Sequence, residues 1–147
     1  MDYKLLCAQL KALTEDVENE ISNLSNASAL LWQELADINW VGFYKMEGGI
    51  LVLYPFQGKP ACTKIAVGKG VCGTAVAEDK TQLVPDVHQF PGHIACDCAS
   101  NSEIVVPIHV NGEIWGVLDI DSPNLDRFDV EDQKGLENFV KILETVL

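Results

Sequence analysis

A β-hairpin written over residues 103–121 limits most what this chain can fold into. Ile104-Val105-Val106-Pro107-Ile108-His109-Val110 leads into Asn111-Gly112, and Glu113-Ile114-Trp115-Gly116-Val117-Leu118-Asp119-Ile120-Asp121 leads out. Asn-Gly between two such runs is a strong hairpin signal, because the tight turn needs φ > 0 at both central positions. A second hairpin is expected earlier. Trp40-Val41-Gly42-Phe43-Tyr44-Lys45-Met46 is rich in β formers, Glu47-Gly48-Gly49 is a turn, and Ile50-Leu51-Val52-Leu53-Tyr54 returns. Residues 55–60 read as a loop, with short strands at 62–67 and 82–86.

Helical periodicity belongs to the two ends. Leu6, Leu10, Leu13, Val17 and Ile21 recur at three- and four-residue steps and predict a first helix with these on its apolar face. Ser22-Asn23-Leu24-Ser25-Asn26 interrupts that pattern with poor helix formers, and a second helix over 27–35 carries Leu30, Leu31 and Trp32. Asp129 caps a final helix with Glu131 and Asp132 in its first turn, and Leu136, Phe139, Val140 and Leu143 form its apolar face. The order predicts an α+β fold. About six antiparallel strands have the terminal helices on one face, with loops and a short helix at 74–78 over the other. A small-ligand pocket belongs on the loop-covered side.

The chain has 147 residues, the length of one domain, so residues 1–147 are expected to form a single unit. A hydrophobic content of 48% and three Trp suit a globular protein. A net charge of −12 repels phosphate backbones, so neither nucleic acid nor an anionic membrane is an expected partner. No apolar run approaches the roughly 18 residues of a membrane span. Met1-Asp2-Tyr3-Lys4 does not open a signal peptide, so a cytoplasmic location is expected. Five cysteines are an odd number for a disulfide framework, and the cytosol keeps thiols reduced. Metal binding or redox chemistry remains.

The chemistry-bearing residues gather around residues 92–103, where His93, Cys96, Asp97, Cys98 and Glu103 fall within twelve positions. Cys62 and Cys72 lie upstream, Asp119 and Asp121 downstream. Together they suggest a thiol redox site with acids beside it. Singly, each has an ordinary reading. Cys7, Cys62 and Cys72 suit small apolar positions, and His88 and His93 suit hydrogen-bonded loop residues. Asp119 and Asp121, alternating with Leu118 and Ile120, suit a half-exposed strand, and Trp40 suits a core. Gly68-Lys69-Gly70-Val71-Cys72-Gly73 lacks the pattern of a phosphate-cradling loop. A zinc site of Cys62, Cys72 and Cys96 with Cys98 or His93 is disfavoured, because Cys62 and Cys72 are too far apart for a knuckle.

Five segments carry a resemblance. Cys62-Thr63-Lys64-Ile65, Gly70-Val71-Cys72-Gly73, Gly92-His93-Ile94-Ala95-Cys96-Asp97, Ser100-Asn101-Ser102-Glu103-Ile104 and Gly116-Val117-Leu118-Asp119-Ile120-Asp121-Ser122 closely resemble free methionine-R-sulfoxide reductases. These are single GAF domains, and the likeness runs over residues 40–128. It implies reduction of free L-methionine-R-sulfoxide to methionine with electrons from thioredoxin, and a homodimer. Cys96 matches the family's nucleophile, and Cys62 and Cys72 its resolving or relay thiols. Glu103, Asp119 and Asp121 match carboxylates that line the site, and Trp40 and Tyr44 match pocket aromatics. Cys98 departs from the family, where a small residue without a thiol is expected, and it would compete in disulfide exchange.

The expected chemistry needs no metal and no organic cofactor. A thiolate attacks the sulfoxide sulfur while the oxygen is protonated, a cysteine sulfenic acid is left, and a nearby thiol condenses it into a disulfide as water leaves. Carboxylates near a thiol raise its pKa, and they raise one another's, so one acid is expected to keep its proton and donate it. Glu103 and Asp121 are the candidates, and Asp119 would pair with the substrate ammonium. The other class of function is a non-catalytic GAF module that senses a small ligand or redox state.

Overall fold

A computed structural model describes residues 1–92 and 99–147. His93, Cys96, Asp97 and Cys98 lie outside the described residues. In chain order the elements are α1 (Tyr3–Thr14), α2 (Glu20–Glu34), β1 (Trp40–Glu47), β2 (Ile50–Gly58), β3 (Lys64–Ala66), α3 (Gly70–Glu78), β4 (Gln82–Val84), a 3-10 turn (Val87–Gln89), β5 (Ser102–Val110), β6 (Glu113–Ser122) and α4 (Val130–Glu144). The strands form one antiparallel sheet in the order β3-β2-β1-β6-β5-β4. The β5–β6 hairpin turns at Asn111 and Gly112, whose φ values of 55° and 78° are those the two-residue turn demands.

Two apolar layers lie on the two faces of the sheet. Leu6 and Leu10 of α1, Leu24 and Leu31 of α2, and Leu136, Phe139 and Leu143 of α4 pack on Val41, Phe43, Ile104, Val106, Leu118 and Ile120. Trp40, Tyr44, Val105 and Val117 face the other way, against Ile65, Val71, Cys72 and Ala75 around α3. The α+β expectation, with terminal helices on one face and a short helix with loops on the other, holds.

Three boundaries differ from those expected. The helix break falls at residues 15–19, not 22–26. Asp16 takes a left-handed φ of 61°, and the Asn19 side chain caps α2 by accepting from the Ser22 amide. The poor helix formers are satisfied in place: Asn23 donates to the Val17 carbonyl, and the Ser28 hydroxyl reaches the Leu24 and Pro55 carbonyls. Leu13, Val17 and Ile21 therefore face solvent, as does Trp32. Strand β2 runs through Pro55 to Gly58, where a loop was expected. The register shifts between Gly42 and Tyr44, so Tyr54 and Pro55 oppose Phe43 alone, and a bulge is a place where a strand tolerates proline. Helix α3 starts at Gly70, four residues early, which puts Cys72 in its first turn. The final helix begins as expected, with a capping box between Asp129 and Asp132.

Candidate active site

Strand alternation places the site. On β6, Leu118 and Ile120 enter the helix-side core, so Asp119 and Asp121 point to the α3 side. Ile104 on β5 does the same for Glu103, and Val41 and Phe43 on β1 do so for Trp40 and Tyr44. Register then sets neighbours. Asp121 lies between Trp40 of β1 and Glu103 of β5, and Asp119 lies between Gly42 and Val105. These side chains floor a half-open cavity. Lys69, Gly70, Val71 and Cys72 from the start of α3 line it from above, with Pro60, Ala61, Ile65 and Ser100 at its sides.

One wall is aromatic. The Trp40 and Tyr44 rings stack 6.0 Å apart, and Trp40 stacks on Phe56 at 5.2 Å. Gly42 between them makes the stack possible, because a Cβ there would overlap the Phe56 backbone and side chain and the Trp40 ring. Both polar tips are spent on the loop before β3: Trp40 Nε1 donates to the Lys59 carbonyl at 3.1 Å and Tyr44 Oη to the Cys62 carbonyl at 2.9 Å.

The opposite wall is acidic and nearly dry. Glu103 and Asp119 are each 6% exposed, and Cys72 is 4% exposed. Burial is the main cause that pushes the Glu103 carboxyl well above its ordinary value, and the charges of Asp119 and Asp121 add to it. Burial also raises Asp119, but hydrogen bonds from Glu103 and Cys72 oppose that rise. The two carboxyls therefore resist ionising together, and the stronger upward push falls on Glu103. Burial and the three acids push the Cys72 thiol well up, which removes its thiolate at neutral pH. Asp119 Oδ1 is buried without a hydrogen-bond partner among the described residues. An orphaned buried carboxylate oxygen in a cavity fits a cationic ligand group.

Among the described residues, the side chains that converge as metal ligands would are Cys72, Glu103 and Asp119, with ligating atoms within 4.8 Å of one another. This cluster shares Cys72 alone with the zinc set weighed above and adds two carboxylates. Cys62 is half-buried and disulfide-bonded, whereas Cys7 and Cys72 are free. No helix among the described residues is long and apolar enough to cross a membrane.

The GAF-domain family profile matches residues 9–147. The protein YtsP of Bacillus subtilis is 58% identical, covering 99% of this chain and 91% of its own. The free methionine-R-sulfoxide reductase of Escherichia coli is 54% identical over 99% of this chain and 88% of its own. The reduced form of the Staphylococcus aureus enzyme fRMsr superposes with a TM-score of 0.97 at 59% identity, covering 99% of this chain and 95% of that one. The same enzyme in complex with its substrate superposes with a TM-score of 0.95 at 58% identity, with the same coverage. This chain belongs to the free methionine-R-sulfoxide reductases, within the GAF-domain family.

In this reductase Trp40, Tyr44, Cys72, Glu103, Asp119 and Asp121 all line one cavity. Cys62 lies beside it, packed on the same apolar layer. Cys96 and Cys98 fall outside the described residues. Sequence reasoning missed Lys69 and Ser100 as lining residues. Both stood inside noted motifs, Lys69 in the glycine-flanked segment set aside as a phosphate loop and Ser100 in a segment of the resemblance. His88 is hydrogen-bonded to Asn101 at 3.0 Å, the ordinary loop role expected of it.

Proposed function

We propose that this reductase, as a single GAF domain, converts free L-methionine-R-sulfoxide to L-methionine through a cysteine sulfenic acid and an intramolecular disulfide that thioredoxin reopens. The observation that carries the reading is an Asp119 Oδ1 buried without a partner among the described residues, next to a Glu103 carboxyl that burial pushes well up, in one pocket with Trp40 and Tyr44. The Asp119 carboxylate takes the substrate ammonium. The aromatic wall takes the methyl–sulfur end, where sulfur packs well against rings. Glu103, with Asp121 beside it, is the candidate proton donor to the sulfoxide oxygen. No metal or organic cofactor is called for.

The electrons balance as follows. The Cys96 thiolate attacks the sulfoxide sulfur, the oxygen passes to the cysteine, methionine leaves, and Cys96 becomes a sulfenic acid. A second thiol attacks that sulfur, an S–S bond forms, the S–O bond breaks, and water leaves. Cys62 suits this second step better than Cys72, whose buried thiol is held protonated by burial and the acids around it. Cys72 is left as a relay. The thioredoxin dithiol then exchanges with the disulfide and restores the thiols. The working form is a cytoplasmic homodimer. A thioredoxin-coupled assay tests the reading with free methionine-R-sulfoxide, the free S epimer and a peptide-bound sulfoxide. Turnover of the free R epimer alone is expected. No turnover of it would favour a sensing module, and equal turnover of the peptide-bound form would contradict this reading of the pocket.

A further inference from the structure

We propose that Tyr44, beyond lining the pocket, is a positioning residue for the resolving thiol: its buried hydroxyl holds the Cys62 main chain in place for disulfide closure. This rests on the reading of Cys62 as the thiol that closes the disulfide. Three hydrogen bonds fix the five residues before β3. Trp40 Nε1 donates to the Lys59 carbonyl at 3.1 Å, Tyr44 Oη to the Cys62 carbonyl at 2.9 Å, and the Leu53 amide to the Thr63 carbonyl at 3.0 Å. Only the last is a contact between backbones. The other two come from aromatic side chains that are 3% and 2% exposed, on the central strand β1. Cys62 itself belongs to no helix or strand. A loop cysteine is thus tied to a central strand of the sheet through its own carbonyl oxygen, two bonds from its Cα.

The same bond separates two roles for Tyr44. A phenol in a pocket of acids is an obvious candidate to protonate the sulfoxide oxygen. Here its single proton is donated to the Cys62 carbonyl and not to an acid of the cavity. Removing the hydroxyl while keeping the ring should therefore spare the attack on the sulfoxide and slow the later step. In that step the Cys62 thiolate attacks the sulfenic sulfur, the S–S bond forms, and the S–O bond breaks to release water. A misplacement of about 1 Å can cost such a step on the order of 100-fold.

The test is a single-turnover experiment on the reduced full chain and on Tyr44→Phe, with no reductant present. Methionine released per site, free thiols remaining and dimedone adducts are followed in time. Wild-type protein must first release about one methionine per site and lose two thiols at Cys62 and its partner. If it releases none, or closes a disulfide without Cys62, the reading beneath this proposal fails and the proposal with it. Given that control, Tyr44→Phe is expected to release methionine within about threefold of the wild-type rate and to lose thiols at least about tenfold more slowly. Dimedone adducts should accumulate in the interval. Equal slowing of both steps would show that Tyr44 acts on substrate or on the fold at large, and wild-type rates of both would show that the bond positions nothing. Either overturns the proposal. A Tyr44→Phe chain that fails to fold, read by thermal melting, would likewise show a role in the fold at large and overturn the proposal.

Discussion

Glu103 and Asp119 present carboxyl oxygens within 4.8 Å of one another on neighbouring strands, with each residue 6% exposed. Such a pair resists full ionisation, and the stronger upward push falls on Glu103. The arrangement costs stability. In the unfolded chain Glu103 ionises near its ordinary value of about 4.3. Between that value and its raised value in the fold, the folded chain binds more protons than the unfolded one, so this group's contribution to stability falls as pH rises. Glu103→Gln removes the penalty. It is expected to melt higher than wild type at pH 7, by about 4 °C for each kcal/mol recovered, with the gap closing toward pH 4. Thermal melts from pH 4 to 8 check this, and a gap independent of pH would contradict it.

The same substitution should disable the chemistry. Glu103→Gln and Asp121→Asn are each expected to slow methionine release in a single turnover by about 10²- to 10⁴-fold, the usual loss when general-acid help is removed. Substrate affinity should change less than the rate. Rates within a few-fold of wild type for both variants would remove these residues from the acid role.

Asp119 tests the recognition half of the site. With its Oδ1 lacking a partner among the described residues, a substrate whose nitrogen is acylated leaves that carboxylate without the ammonium it would pair with. Breaking one side of a buried pair typically costs about 3–5 kcal/mol. N-acetyl methionine sulfoxide should therefore lose affinity by that amount on wild-type protein and much less on Asp119→Asn. A direct binding titration with a Cys96→Ser background measures both, and equal losses would contradict the ammonium assignment.

One prediction concerns the scaffold. The Tyr3 ring of α1 lies on Gly135 of α4, where an added Cβ would overlap it, and the Tyr3 hydroxyl donates to Asp132 at 2.5 Å. Gly135→Ala should destabilise the chain by about 1–3 kcal/mol by overpacking this contact. Denaturant unfolding reads the change, and single-turnover chemistry should stay near wild type because Gly135 is on the face opposite the cavity.

Much of this architecture was legible in local patterns. Asn111-Gly112 announced the β5–β6 hairpin, Asp129 announced α4, and the alternation of Asp119 and Asp121 with Leu118 and Ile120 put both acids on one face. The rest depended on contacts between distant segments. Pro55 remains in β2 because a bulge opposite Phe43 accommodates it, and Ser28 remains in α2 partly because the Pro55 carbonyl accepts its hydroxyl. Alternation alone did not show that Asp119 is dry while Asp121 is only half-buried; the start of α3 packs over that part of the strand. The link from Tyr44 to Cys62 spans 18 positions and left no local signal.

The central claim is a division of labour among thiols, and methionine released per site without reductant tests it most directly. Cys96→Ser is expected to release none. Cys62→Ser should release about one per site and then stall as a sulfenic acid that dimedone traps, unless Cys72 or Cys98 takes over. Cys72→Ser should be milder, Cys98→Ser milder still, and Cys7→Ser close to wild type. Stoichiometric methionine release by Cys96→Ser would contradict the account.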